Sequence, residues 1–114
     1  MNHDPGHDYL QSSRILSGQL ASALERQATA ENEARTLKAK LDRTAREIFL
    51  NEEGSIAIRE AKAKTHDRYI TLEAEYLEAE SKANLEKARK QAFEVKWETW
   101  RTNESTRRAE MRIL

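Results

Sequence analysis

The sequence predicts an all-α protein: a long antiparallel helical hairpin, coiled-coil-like, that assembles into a dimeric helical bundle. Three observations carry that expectation. Charged residues make up 35% and hydrophobic residues 38% of 114 residues, with three glycines and one proline, and an Ala/Glu/Lys/Arg/Leu-rich mixture of this kind favours helix or coiled coil. A heptad frame runs unbroken through Leu16, Leu20, Ala23, Gln27, Ala30, Ala34, Leu37, Leu41, Thr44 and Ile48, with spacing that alternates four and three. Gly54 stands near the middle of the chain, between two halves that both read as amphipathic helix. Disorder is the competing reading of so polar a composition, but disordered chains lack a sustained apolar period and carry more Pro, Gly and Ser.

Residues 1–7 hold the single proline in a Pro5-Gly6 pair and read as a flexible leader; residues 8–114 read as one helical-hairpin domain. The first helix is expected over about 8–51, with Asp8 capping its first turn and Gln11 three residues on. Gly18 costs roughly 1 kcal/mol relative to Ala and predicts fraying before residue 19. Leu24 and Ala28 lie beside the seam and are expected to widen it. Gln27, Ala30 and Ala34 follow one another where large apolar residues pack best, so the seam is thin, and small residues there allow close helix approach. Gln27 is either an imperfection of that seam or a register-fixing polar residue.

The connection is expected over about 52–66. Gly54 and Ser55 combine a helix-ending glycine with an N-cap serine, and Thr65-His66-Asp67 offers a second break, so 56–64 forms either a short connecting helix or the first turns of the next one. The second long helix, about 67–112, carries two adjacent stripes. One runs through Tyr69, Leu72, Tyr76, Ala79, Ala83, the charged Glu86 and Lys90, then Phe93, Trp97 and Trp100; the other runs through Ile70, Ala74, Leu77, Ser81, Leu85, Ala88, Ala92 and Val95. Two seams about 100° apart make an arc too wide for one partner helix. One stripe therefore packs on the first helix and the other on something else, most economically a second copy. Helices of about 40 residues extend roughly 60 Å and make a rod, which suits scaffolding or groove-filling better than enclosing a substrate.

Formal charge is zero, with 20 basic and 20 acidic residues, which removes any global pull toward nucleic acid or anionic lipid. The distribution is uneven: residues 87–114 carry eight basic against four acidic residues. There is no cysteine, which excludes thiol chemistry and Cys-ligated zinc. No signal peptide and no membrane-spanning apolar run is visible, so a soluble cytoplasmic protein is expected, with no membrane partner.

No catalytic, cofactor-binding or metal-binding residue emerges, and the expected protein is not an enzyme and uses no cofactor or small-molecule substrate. His3, Asp4, His7 and Asp8 resemble metal ligands, but Pro5 and Gly6 interrupt any helix that would preorganise them. His66 and Asp67 point about 100° apart on a helix and suit capping, with no nucleophile or pocket nearby. Glu73, Glu75, Glu78 and Glu80 read as a solvated face with support from Lys82, or as a mimic of a phosphate backbone. Asn103-Glu104-Ser105 matches a glycosylation acceptor, which has no meaning without secretion.

The C-terminal segment is the strongest partner-binding candidate. Trp97, Trp100, Arg101, Arg107, Arg108 and Arg112 cluster there, and Trp and Arg dominate interaction hot spots. With Tyr69 and Tyr76 of the first stripe they form the expected partner-binding set. The bland alternative has Trp97 and Trp100 filling the open end of the hairpin against Leu16 and Leu20. Direct nucleic-acid binding through Arg101, Arg107, Arg108 and Arg112 is possible by stacking and charge but disfavoured by zero net charge.

Ile48-Phe49-Leu50-Asn51-Glu52-Glu53-Gly54 through Arg59-Glu60-Ala61, and the ending Ser105-Thr106-Arg107-Arg108-Ala109-Glu110-Met111-Arg112, resemble small coiled-coil proteins encoded by bacteriophages. The resemblance covers about residues 45–114 and its motifs are low-complexity helix. It implies a helical hairpin and a phage accessory protein acting on a partner in DNA metabolism or recombination, and it transfers no functional residue. A rival role is inhibition of a host defence nuclease.

Overall fold

The computed structural model describes residues 5–113, which form three helices: α1 (Pro5–Asn51), α2 (Ile56–Thr65) and α3 (Asp67–Ile113). The fold is all-α. Helix α1 starts three residues earlier than the sequence suggests, so Asp8 falls within the helix and not at its boundary. Proline lacks an N–H and has φ already set, so it is tolerated in a first helical turn whose N–H groups have no partners in any case. Residues 1–4 of the expected leader, with His3 and Asp4, lie outside the described residues. Nor does Gly18 interrupt α1. Its roughly 1 kcal/mol penalty is set against Leu16 and Leu20, which are both half-buried in the adjoining turns.

The chain divides into two compact units, Ala28–Leu85 and the combination of Met1–Gln27 with Glu86–Leu114. In the first, α1 buries Ala30, Ala34, Leu41, Thr44 and Ile48, α2 buries Ala63, and α3 buries Ala79 and Ala83. Leu37, Tyr69, Leu72 and Tyr76 are half-buried beside them. Arg68 pairs with Glu47 at 3.5 Å, and Lys38 lies 5.5 Å from the ring centroid of Tyr76. Moving backward along α1 from Glu47 to Lys38 thus moves forward along α3 from Arg68 to Tyr76. The two helices are antiparallel. Most of the buried apolar residues are alanines, and each contributes only about one methylene-equivalent of burial, ~0.8 kcal/mol. Leu41 and Ile48 are the large members of this core.

The turn uses local chemistry throughout. The Glu52 N–H donates to the Ile48 carbonyl at 3.1 Å, and Gly54 adopts φ 117°, a conformation open to glycine at little cost. A β-carbon on Gly54 would lie 3.2 Å from Ile58 Cγ2. Ser55 caps α2, its hydroxyl accepting from the Ile58 N–H at 3.3 Å. From α2, Arg59 donates to the Phe49 carbonyl at 3.1 Å while its guanidinium lies 4.5 Å from the Phe49 ring centroid, so one side chain closes the end of α1 in two ways. Lys62 adds an ion pair to Glu52 at 3.5 Å.

At the second break a single residue does the capping. The His66 N–H donates to the Ala63 carbonyl at 3.4 Å, its own carbonyl accepts from Ile70 at 3.0 Å, and its Nδ1 accepts from the Arg68 N–H at 3.1 Å. His66 therefore ends α2 and begins α3. Thr65 instead turns its hydroxyl back to the Ala61 carbonyl at 2.9 Å. Residues 56–65 are thus a separate helix.

In the other unit Ala23 and Glu86 are buried, and Leu16, Leu20, Gln27, Lys90, Phe93, Trp97 and Trp100 are half-buried. Leu24 is 48% exposed and Ala28 is exposed, so neither widens the seam. Each follows a seam residue by one position and lies about 100° around the helix from it. Among the described residues no helix is long and apolar enough to cross a membrane.

Candidate interaction surfaces

The decisive feature is how α3 divides its two stripes. Every residue of the first is buried or half-buried, from Tyr69 through Ala79, Ala83 and Glu86 to Trp100. Every residue of the second is exposed: Ile70, Ala74, Leu77, Ser81 and Leu85 in one unit, Ala88, Ala92 and Val95 in the other. Its large members are 51–65% exposed. Scattered exposed apolar side chains need no explanation, but a row at helical spacing on one face does.

Within the inner stripe, Glu86 is a carboxylate in an apolar seam, its side chain only 8% exposed. Both oxygens are taken. Oε2 accepts from Arg26 Nε of α1 at 3.3 Å and Oε1 from Arg89 Nη1 at 3.1 Å, while Arg26 is itself braced by Ser22 at 2.8 Å. Among the described residues no buried side-chain polar atom lacks a partner. Such a pair disfavours slippage, because a shift of one turn would strand the buried charge. Sequence reasoning placed Glu86 in the stripe and missed its partners. The available signal was an acidic seam position with Arg three residues on; the Arg26 contact spans 60 residues.

Of the expected partner-binding residues, Tyr69 and Tyr76 lie on the inner stripe, half-buried. Burial raises the Tyr69 phenol above the ordinary tyrosine value, and neighbouring Glu73 adds to the shift. The Tyr76 hydroxyl donates to Glu80, which raises its pKa, and desolvation adds to this. Glu73 and Glu80 are thus engaged by tyrosines, while Glu75 and Glu78 are exposed. Lys38, beside Tyr76, is held above the usual lysine value by its hydrogen bond and charge contact with Asp42, 3.3 Å away.

Trp97 and Trp100 stack with ring centroids 5.3 Å apart and planes inclined by 22°. With Ser13, Arg101, Arg108 and Arg112 they line an open groove of about 560 Å³. Helical spacing explains the grouping: Trp97, Trp100, Arg101, Arg108 and Arg112 recur at three, four and seven residues. Arg101 is paired with Glu98 at 3.4 Å. Arg107 lies outside that groove lining and donates to Glu104 at 2.9 Å and to Met111 Sδ at 3.6 Å. The tryptophans thus combine packing with a wall of the groove.

No protein-family model, no curated protein and no solved structure matches the chain.

Proposed function

We propose that this chain is a non-catalytic interaction module: a helical hairpin whose inner face holds it together and whose outer α3 face is buried by another protein. The observation that carries this reading is the exposure of the Ile70, Leu77, Leu85 and Val95 row, at 51–65%, on a helix whose other row is buried or half-buried. Covering exposed apolar surface contributes ~25 cal/mol per Å² before the costs of association are counted. A partner in phage DNA metabolism is supported by the resemblance of residues 45–114 to phage-encoded hairpins. The test is affinity capture from cells that make the protein, comparing the natural chain with Leu77→Glu/Leu85→Glu. A protein held by the first and lost by the second is the expected result; identical capture by both, or none, sinks the reading.

One observation favours a second reading. The groove sets stacked indoles beside Arg108 and Arg112, the combination that tracks single-stranded nucleic acid. That reading requires oligonucleotide binding that weakens steeply with salt and is lost in Arg108→Ala/Arg112→Ala.

A further inference from the structure

We propose that the outer face of α3 pairs with the same face of a second copy, the two α3 helices running antiparallel about a two-fold axis near Ser81. This rests on the interaction role proposed above and names the partner. The charge sequence along α3 decides the choice. Glu73, Glu75, Glu78 and Glu80 precede Ser81, and Lys82, Lys87 and Arg89 follow it. The helix face is acidic on one side of Ser81 and basic on the other. A parallel pair sets acid against acid and base against base; an antiparallel pair sets each half against its opposite.

The pairing state of these side chains points the same way. Near the inner seam, Glu86, Arg89, Lys90 and Glu94 all have ion-pair partners within the chain. Glu75, Glu78, Lys82 and Lys87 are exposed, and no ion pair of theirs occurs among the described residues. Glu78 and Lys82 are four residues apart on one helix, the favourable spacing and order for an intrahelical pair. They leave it unmade.

The register also satisfies packing. With the axis at Ser81, Leu77 faces Leu85 of the second copy, Ile70 faces Ala92, and Ala74 faces Ala88. Leucine meets leucine on either side of the Ser81 pair, alanine meets alanine next, and Ile70 covers a small residue at each end. Glu75 and Glu78 then flank Lys82 and Arg89 of the second copy on one side, and Glu73 flanks Lys87 on the other. Six turns of one helix form a small interface, below the size of a standard stable complex, so association falls in the weak, micromolar class.

Three measurements on the purified full chain test this. Sedimentation from nanomolar to high micromolar concentration is expected to show a reversible monomer–dimer equilibrium. A monomer throughout overturns the proposal, while the capture experiment separately decides the broader reading. Glu75→Lys/Glu78→Lys and Lys82→Glu/Lys87→Glu should each weaken self-association by about tenfold or more, and an equimolar mixture should recover it as a heterodimer. Unchanged dimerisation of both variants overturns the interface. Since the chain has no cysteine, mixed Leu77→Cys and Leu85→Cys chains treated with a short bis-maleimide report orientation. Crosslinks between unlike chains are expected, and crosslinks confined to like chains overturn the antiparallel arrangement.

Discussion

The two apolar rows of α3 have similar spacing and opposite fates. The inner row buries Ala79, Ala83 and the doubly paired Glu86 and half-buries its aromatic members, while the outer row, which carries no charge, exposes Ile70, Leu77, Leu85 and Val95. Hydrophobicity therefore does not explain which row faces α1. The inner row opposes small residues of α1 with small residues of its own and adds an ion pair that only one register satisfies. Small buried residues and charge pairing mark the face. The aliphatic Ile70, Leu77, Leu85 and Val95 are left for a different contact.

The sharpest way to break that contrast is to truncate a leucine from each side. Leu41 is 2% exposed, and Leu41→Ala should cost about 2–5 kcal/mol of folding stability. In dilute solution Leu77→Ala should stay within about 0.5 kcal/mol of the natural chain, as exposed sites do. Urea denaturation at sub-micromolar concentration reads both. Comparable losses would mean that the outer row is structural.

Glu86 comes next. Glu86→Ala should lower stability by about 1–2 kcal/mol, less than for a fully buried pair because Arg26 and Arg89 stay half-exposed and can return to water. Glu86→Leu should recover that loss or exceed it while loosening register. A double-mutant cycle with Arg26→Ala measures the coupling.

A smaller effect is expected at the start of α3, which presents both rows. His66→Ala removes the side-chain cap from the Arg68 N–H and should cost about 1 kcal/mol, and His66→Asn should restore most of it. Thermal melts followed by circular dichroism would show this. No restoration by asparagine would mean that the imidazole acts otherwise.

The smallest effect concerns ionisation beside the inner row. Tyr69 and Tyr76 should titrate above free tyrosine by phenolate absorbance, and Glu80→Gln should bring Tyr76 down. A phenol whose folded pKa is raised adds stability that is complete below the unfolded tyrosine value and is lost as pH rises through the folded one. Stability should therefore start to fall at the ordinary tyrosine value and go on falling until pH passes the raised folded values. Normal titration of both phenols would contradict the packing of this edge.

Much of the fold was legible in the residue order. The α1 seam from Leu16 to Ile48 is the buried or half-buried row of the helix, position by position. Gly54 and Ser55 perform the helix-ending and capping roles their chemistry predicts, because those roles are local. Local rules misplaced the start of α1, since a proline after a short polar leader can open a helix as well as precede one. They also expected Leu24, beside the seam, to widen it, whereas a shift of one residue turns that side chain out to solvent. The groove formed by Trp97, Trp100, Arg101, Arg108 and Arg112 was foreseeable from helical spacing. The absence of Arg107 from that lining, and its contacts with Glu104 and Met111, required side-chain geometry.

The sequence by itself determined three things: helix throughout, a break at Gly54, and a second long helix with more apolar surface than one partner covers. Periodicity, glycine geometry and composition act over a few residues and can be read there. The tertiary structure decided which of the two rows on α3 faces inward, and that Glu86 would be held between Arg26 and Arg89. Those outcomes depend on residues about sixty positions apart meeting in space, and no local propensity encodes such a meeting.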